Sequence, residues 1–259
     1  MSITQEVTAT ALGRGSLFIN ARIAGAYAGE QAFGNAPEFS YDYKATKADH
    51  YESQTSISQK DRSIIVREER GAKITVDHVS VENVAYYLGG TIETVEQTAS
   101  TVTDEEITVA PGRHYQIGQT PANPAGVRNI TELTVKDSTG TTTYDLGEDY
   151  EVDLALGRLR ILSSGTIAAG KIKLGYTKPA AKWKRIKTGE ANQIEGALRF
   201  LSDNADGANR DYYFPSVKLT PSGSLPLIKD GTEFIKISFD VEILKPEGLE
   251  SIYVDGRPE

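Results

Sequence analysis

The sequence predicts a mainly β protein with one α-helix and a small β module inserted into a larger β domain. Three observations predict this. Near the C-terminus Ile235, Ile237, Phe239, Val241 and Ile243 alternate with Lys236, Ser238, Asp240 and Glu242, and a period of two marks a strand with one buried and one wet face. Within residues 80–90 the apolar spacing changes to i, i+3, i+4, i+7, which is helical. Between residues 121 and 178 short strand-like runs and turn signals follow one another closely.

Leu17, Ile19, Ala21 and Ile23 predict the first strand, Phe39, Tyr41 and Tyr43 the second, and Ile74, Val76 and His78 the third. Ser80 can then cap a helix whose stripe is Val81, Val84, Ala85 and Leu88, and Gly89-Gly90 can end it in a left-handed turn. A helix of about nine residues is marginal alone, so that stripe is expected to pack on a sheet. In the next block Leu133/Val135, Leu159/Ile161 and Ile172/Leu174/Tyr176 mark apolar faces, with turns at Ser138-Thr139-Gly140 and Leu156-Gly157. Pro-containing junctions, TPANPAG and TKPAA, stand near its two ends. The expected organisation is a large domain of residues 1–114 and 179–259, with an inserted module at 115–178.

After the module, EGALRFLSDNADGANRDYYFPSVKLTP predicts a hairpin: Leu198 and Phe200 go in, Asp206-Gly207 turns, and Tyr213, Val217 and Leu219 return. Three stretches show little periodicity and are expected to be arms or loops: residues 1–13 at the N-terminus, a long polar loop at 45–62, and 245–259 at the C-terminus.

Hydrophobic residues make up 39% of the 259 and charged residues 25%, enough for a core of ordinary size. The absence of Cys removes thiol nucleophiles, thiolate metal sites and disulfides. The balance of 28 Lys+Arg against 36 Asp+Glu gives −8, the wrong sign for gripping phosphates. MSITQEVTATALGRGSLF has no basic stretch leading into an apolar one, and no apolar run approaches about 20 residues. The expectation is a protein made and used without crossing a membrane. Asn129-Ile130-Thr131 matches a glycosylation sequon and reads as chance in that setting.

The sequence carries few signs of chemistry. His50, His78 and His114 have no second ligand at helical spacing, and no nucleophile elbow, P-loop or dinucleotide fingerprint follows a strand. Glu68-Glu69 and Glu105-Glu106 put neighbours on opposite strand faces rather than converging on a cleft. Lys182-Trp183-Lys184-Arg185-Ile186-Lys187 reads as an edge or subunit seam before it reads as a nucleic-acid patch. Ser202, Asn204 and Asp206 before Gly207 fit the start of a calcium loop, but Tyr213 stands where a bidentate Glu is required. No catalytic residue, cofactor or metal is expected.

The order of elements carries a resemblance. KADHYESQTSIS in the polar loop, SVENVAYYLGG as the helix, and EGALRFLSDNADG followed by DYYFPSVKLTPSGSLPLIKDGTEFIKISFDVEI resemble the major tail tube protein of long-tailed, siphovirus-type bacteriophages. The likeness covers residues 15–105 and 185–245, and DLGEDYEVDLALGRLRIL is similar to modules of some phage tail proteins.

The resemblance implies a β-sandwich or barrel-like tail tube fold with one flanking helix. It implies a homo-oligomer, a hexameric ring stacking into a tube through which DNA leaves the virion without specific binding. It also implies tape measure, distal tail and tail terminator partners, assembly in the host cytoplasm, and the module on the outside of the tube. The loop at 45–62 would reach the neighbouring ring through Asp49, His50, Tyr51 and Glu52, and the helix would lie against a neighbouring subunit. Asp240 and Glu242 are the outward acids that would face the lumen. A carbohydrate-binding or virion surface decoration module is the alternative, resting on Tyr86-Tyr87 or Tyr212-Tyr213 as an aromatic platform. A β-rich hydrolase lacks a converging His or carboxylate set.

Overall fold

The computed structural model describes residues 11–23, 25–54, 56–189 and 194–257. Residues 1–10 of the expected N-terminal arm lie outside them. The protein is mainly β, with one short helix among the described residues. In chain order the strands are β1 (Gly15–Ile23), β2 (Ala26–Tyr27), β3 (Gln31–Ala32), β4 (Glu38–Glu52) and β5 (Gln59–Val76), followed by helix α1 (Val81–Leu88). Then come β6 (Gly90–Gln97), β7 (Ser100–Val109), β8 (His114–Gln116), β9 (Thr131–Asp137), β10 (Tyr150–Asp153), β11 (Arg158–Ile161), β12 (Gly170–Lys178) and β13 (Ala181–Thr188). The chain closes with β14 (Ile194–Ser202), β15 (Arg210–Ser222), β16 (Ile237–Ile243) and β17 (Tyr253–Gly256).

Two compact units result, Met1–Ile92 with Ile186–Glu259 and Glu93–Arg185. The inserted unit is larger than the expected 115–178. β7 is too polar to announce itself, yet it pairs along β12 from Ser100↔Lys178 to Val109↔Gly170 and belongs inside the insert. β6 and β13 form a two-stranded sheet through which the chain leaves and returns.

The first unit is built on one antiparallel sheet ordered β2-β1-β14-β15-β16-β5-β4, with β3 on β1 and β17 on β15. Its core is the inner alternates of those strands: Leu17 and Ile19 of β1, Ile74 and Val76 of β5, and Ile237, Phe239, Val241 and Ile243 of β16. Each such side chain contributes about 1.5–3 kcal/mol when fully buried. On β15 the alternation breaks. Gly196 pairs Val217 but Leu198 pairs Phe214, so Pro215-Ser216 form a bulge opposite Ala197. The bulge puts Phe214, not the expected Tyr213, on the buried face with Val217 and Leu219.

The helix begins and ends as its caps dictate. Ser80 Oγ accepts from the Asn83 N–H at 3.0 Å, and Gly89 adopts a left-handed φ of 57°. Its buried side is a correction to the expected stripe. Val84, Tyr86 and Tyr87 pack on the core and Ala85 is buried, but Val81 and Leu88 are exposed. The reason is Asn83, whose Nδ2 donates to Phe33 O and His78 O at 2.8 Å each and holds that position inward. His78 itself lies past the end of β5 and is exposed.

The inserted unit contains two three-stranded sheets, β7-β12-β9 and β10-β11-β8. They share a core that includes Val135, Leu159, Ile161, Ile172 and Leu174. Asp149 closes one of its turns, accepting from the N–H groups of Thr166 (2.7 Å) and Asp145 (2.9 Å).

Candidate functional site

The stretch expected as a polar loop at 45–62 is the outer part of a β ribbon. β4 and β5 pair from Glu38↔Thr75 to Glu52↔Gln59, so most of the expected loop is paired strand. β5 pairs with β16 only over Arg70–Val76. Beyond that point β4 and β5 pair with each other and with no other strand among the described residues, and the ribbon projects from the sheet by nine residues of β4, roughly 30 Å at strand rise.

The four residues singled out in the sequence all sit at the far end of β4. Asp49 accepts from Ser63 Oγ at 2.6 Å and pairs with Lys60 at 2.9 Å. The Ser63 hydroxyl first, and then the Lys60 ammonium, hold its carboxyl below the usual range. His50 Nδ1 lies 2.6 Å from Asp61 Oδ1. Tyr51 is 54% exposed, and the Glu52 carbonyl accepts from Ser58 Oγ at 2.9 Å. Two bulges, at Thr46/Lys47 and His50/Tyr51, set the register of this end. A bulge adds twist, and twist keeps an exposed ribbon from lying flat against any passing edge.

Sequence reasoning missed Ile64, Ile65 and Val66, which are 46%, 49% and 61% exposed. Consecutive strand residues point to opposite faces, so both faces of the ribbon carry apolar surface that the first unit does not cover. Ile57 in the turn is 70% exposed. The available signal was the run Ser63-Ile64-Ile65-Val66 directly after the polar stretch. Surface ion pairs such as Asp49–Lys60 and Arg70–Glu68 contribute little to holding such a ribbon, and an isolated two-stranded ribbon is marginal in water.

The remaining candidates resolve into structural roles. In the 203–209 turn Ser202 Oγ accepts from the Arg210 N–H at 2.6 Å and Asn204 Oδ1 from the Arg14 N–H at 3.0 Å, so two of the three oxygens of the calcium-like pattern brace the chain. The C-terminal arm is not loose either. Its β17 pairs with Arg210–Tyr213, and Arg257 donates to Asp211 Oδ1 (2.9 Å) and Ser202 O (2.6 Å), holding the Asp211 carboxyl below its ordinary value. Tyr86 and Tyr87 bond to Gln31 and the Gly223 carbonyl and pack on the core, while Tyr213 lies under the Arg199 guanidinium at 4.6 Å. Those tyrosines form no open platform. Trp183 and Arg185 share one face of β13, and Arg185 is tied to Glu93 and Asn123.

A family model matches residues 10–247, spanning ribbon, helix and insert alike. The chain belongs to the family described as Protein of unknown function UCP028589. No curated protein matches the chain.

Proposed function

We propose that the chain is a structural, non-enzymatic subunit of a bacteriophage tail tube, assembling into rings that stack into a conduit for DNA. The observation that carries this reading is the β4–β5 ribbon, which exposes apolar side chains on both faces and beyond Arg70 pairs with no further strand among the described residues. A ribbon of this kind is completed by another subunit, and stacked rings supply one at every level. The exposed Val81 and Leu88 of α1 support it too, as a second apolar strip facing away from the core.

In this reading Asp49, His50, Tyr51 and Glu52 contact the next ring, and the module lies outside the tube. The exposed Asp240 and Glu242 on β16 supply acid to the lumen, which repels phosphates and lets DNA slide. Tape measure, distal tail and terminator proteins would meet the two tube ends. Negative-stain microscopy of the concentrated full chain tests the proposal: rings or tubes are expected, and a monomer or dimer at every salt and protein concentration would overturn it.

A further inference from the structure

The chain carries a second unpartnered feature, remote from the ribbon in sequence, and a hollow to match it. Between β15 and β16 the loop at 223–236 presents Leu227, Ile228 and Phe234 at 84%, 96% and 78% exposure. Exposure that high on three large apolar side chains within eight residues is a surface cost unless something covers them. The loop is held in shape. Tyr87 donates to the Gly223 carbonyl at 2.8 Å, Leu225 packs on the core, and Lys229 Nζ pairs with Glu233 Oε2 at 2.7 Å across the tip.

The hollow is a groove of about 920 Å³ in the first unit, with Leu17, Phe39, Phe200, Tyr212, Phe214 and Val254 in its walls. It opens where the sheet curls round and brings β4 opposite β1 and β14: Phe39 of β4 stacks against Phe200 of β14 with ring centroids 5.5 Å apart. Its mouth carries one cation, Arg14, and one anion, Glu38. Arg14 makes no ion pair among the described residues, and neither does Asp230, which sits on the loop beside Ile228.

We propose that the 223–236 loop of one copy seats Leu227, Ile228 and Phe234 in this groove of a second copy, with Asp230 meeting Arg14 at the mouth. The occupant is a second copy because one chain carries both the apolar projection and the apolar hollow, with an unpaired charge of opposite sign beside each. Loop and groove are different surfaces, so the contact is head to tail. Repeated, it gives a closed ring or an open filament, depending on the rotation between copies. The contact is independent of the ribbon and adds to the tube reading a specific bond between neighbours.

Sedimentation velocity on the full chain tests it with three exposed-site variants. Ile228→Asp removes the projection and Val254→Asp spoils the groove. Gly13→Trp covers the groove mouth, and the added Cβ meets no atom within 4 Å; it serves as a second groove variant should Val254→Asp fail to fold. Each alone should weaken self-association at least tenfold with an unchanged circular dichroism spectrum. A mixture of the loop variant with a groove variant should stop at a dimer, because one intact loop and one intact groove remain per mixed pair. Wild-type association by a folded variant, a mixture that stays monomeric, or a wild-type chain monomeric at every concentration would overturn the contact. Tubes formed by Ile228→Asp would overturn this contact alone, whereas loop-in-groove dimers that never build tubes would overturn the tube reading alone.

Discussion

Phe39 and Phe214 meet edge to face, with ring centroids 6.0 Å apart and planes at 90°, although β4 and β15 are separated by β16 and β5 in the sheet. Two strands so placed touch only if the sheet curls into a barrel-like wall, the right-handed twist of each step adding to the next. Phe214 is 1% exposed and Phe39 is only partly buried. Phe214→Ala is therefore expected to cost about 3–5 kcal/mol and Phe39→Ala clearly less. Urea unfolding followed by tyrosine fluorescence checks the order; equal costs would mean that the two rings share one environment.

The ribbon is separable from the sheet that carries it. Lys47 and Ile65 are register partners, so replacing residues 48–64 with Asn-Gly places a two-residue turn where the strands already meet. This shortened chain is expected to keep its core and its melting transition and to lose tube formation. Microscopy and calorimetry on the same sample decide it, and normal tubes would show that the ribbon does not join rings.

Acid should loosen the inserted unit. Asp137 accepts from Thr139 Oγ at 2.6 Å and from the Thr141 and Thr142 N–H groups, and its carboxyl is lowered to about 2. Asp149 is lowered as well, first by the Thr166 N–H and then by that of Asp145. A carboxyl depressed in the folded state stabilises above its ordinary pKa, near 3.8, and that contribution fades as pH falls through the folded value. The Tm of the isolated 93–185 unit should therefore drop between about pH 4 and about pH 2, and Asp137→Asn should flatten the drop. A pH-independent Tm over that range would remove these turns from the account of its stability.

How far the sequence could be read followed from what covers each strand. β16 was legible because one of its faces is dry and the other wet, so Ile237 to Ile243 alternate without a break. β4 and β5 beyond Arg70 have neither face covered by the described residues of their own unit. Selection for period two is absent there, and residues 45–62 read as a loop. The bulge at Pro215-Ser216 moved the buried position from Tyr213 to Phe214, a shift that an alternation count cannot register. The caps of α1 were plain in Ser80 and Gly89, but its buried side depended on Asn83 finding, besides the nearby His78 carbonyl, that of Phe33, which comes from elsewhere in the chain. The insert boundary was missed for a similar reason, since Glu105 and Glu106 on β7 gave no apolar signal. Yet Glu105 binds the Tyr176 hydroxyl at 2.6 Å and the Gly118 N–H at 3.0 Å inside that unit.

Asn83 offers a local test of the helix placement. Asn83→Ala leaves the carbonyls of Phe33 and His78 without their side-chain donor in a buried site, which costs roughly 1–3 kcal/mol. Ser80→Ala removes only the cap, about 1 kcal/mol. Chemical denaturation of both variants should rank them in that order, and the reverse order would show that the cap, not the amide, anchors α1.

The insert should stand alone. Its core draws only on residues between Val102 and Tyr176, and Glu93 and Arg185 at its two ends lie side by side, with Oε1 and Nη1 3.5 Å apart. A unit with its own core and adjacent ends folds independently and can be removed without stretching its host. The 93–185 fragment is expected to give dispersed amide resonances and one cooperative melt. The remainder, with Ile92 joined to Ile186 through a short Gly-containing turn, should keep the register of β1, β14, β15 and β16. If the insert lies on the outside of the tube, that shortened chain should still assemble, into tubes thinner than those of the full chain. Tubes of unchanged width would place the insert elsewhere, and failure to assemble by a folded remainder would make it part of the ring itself.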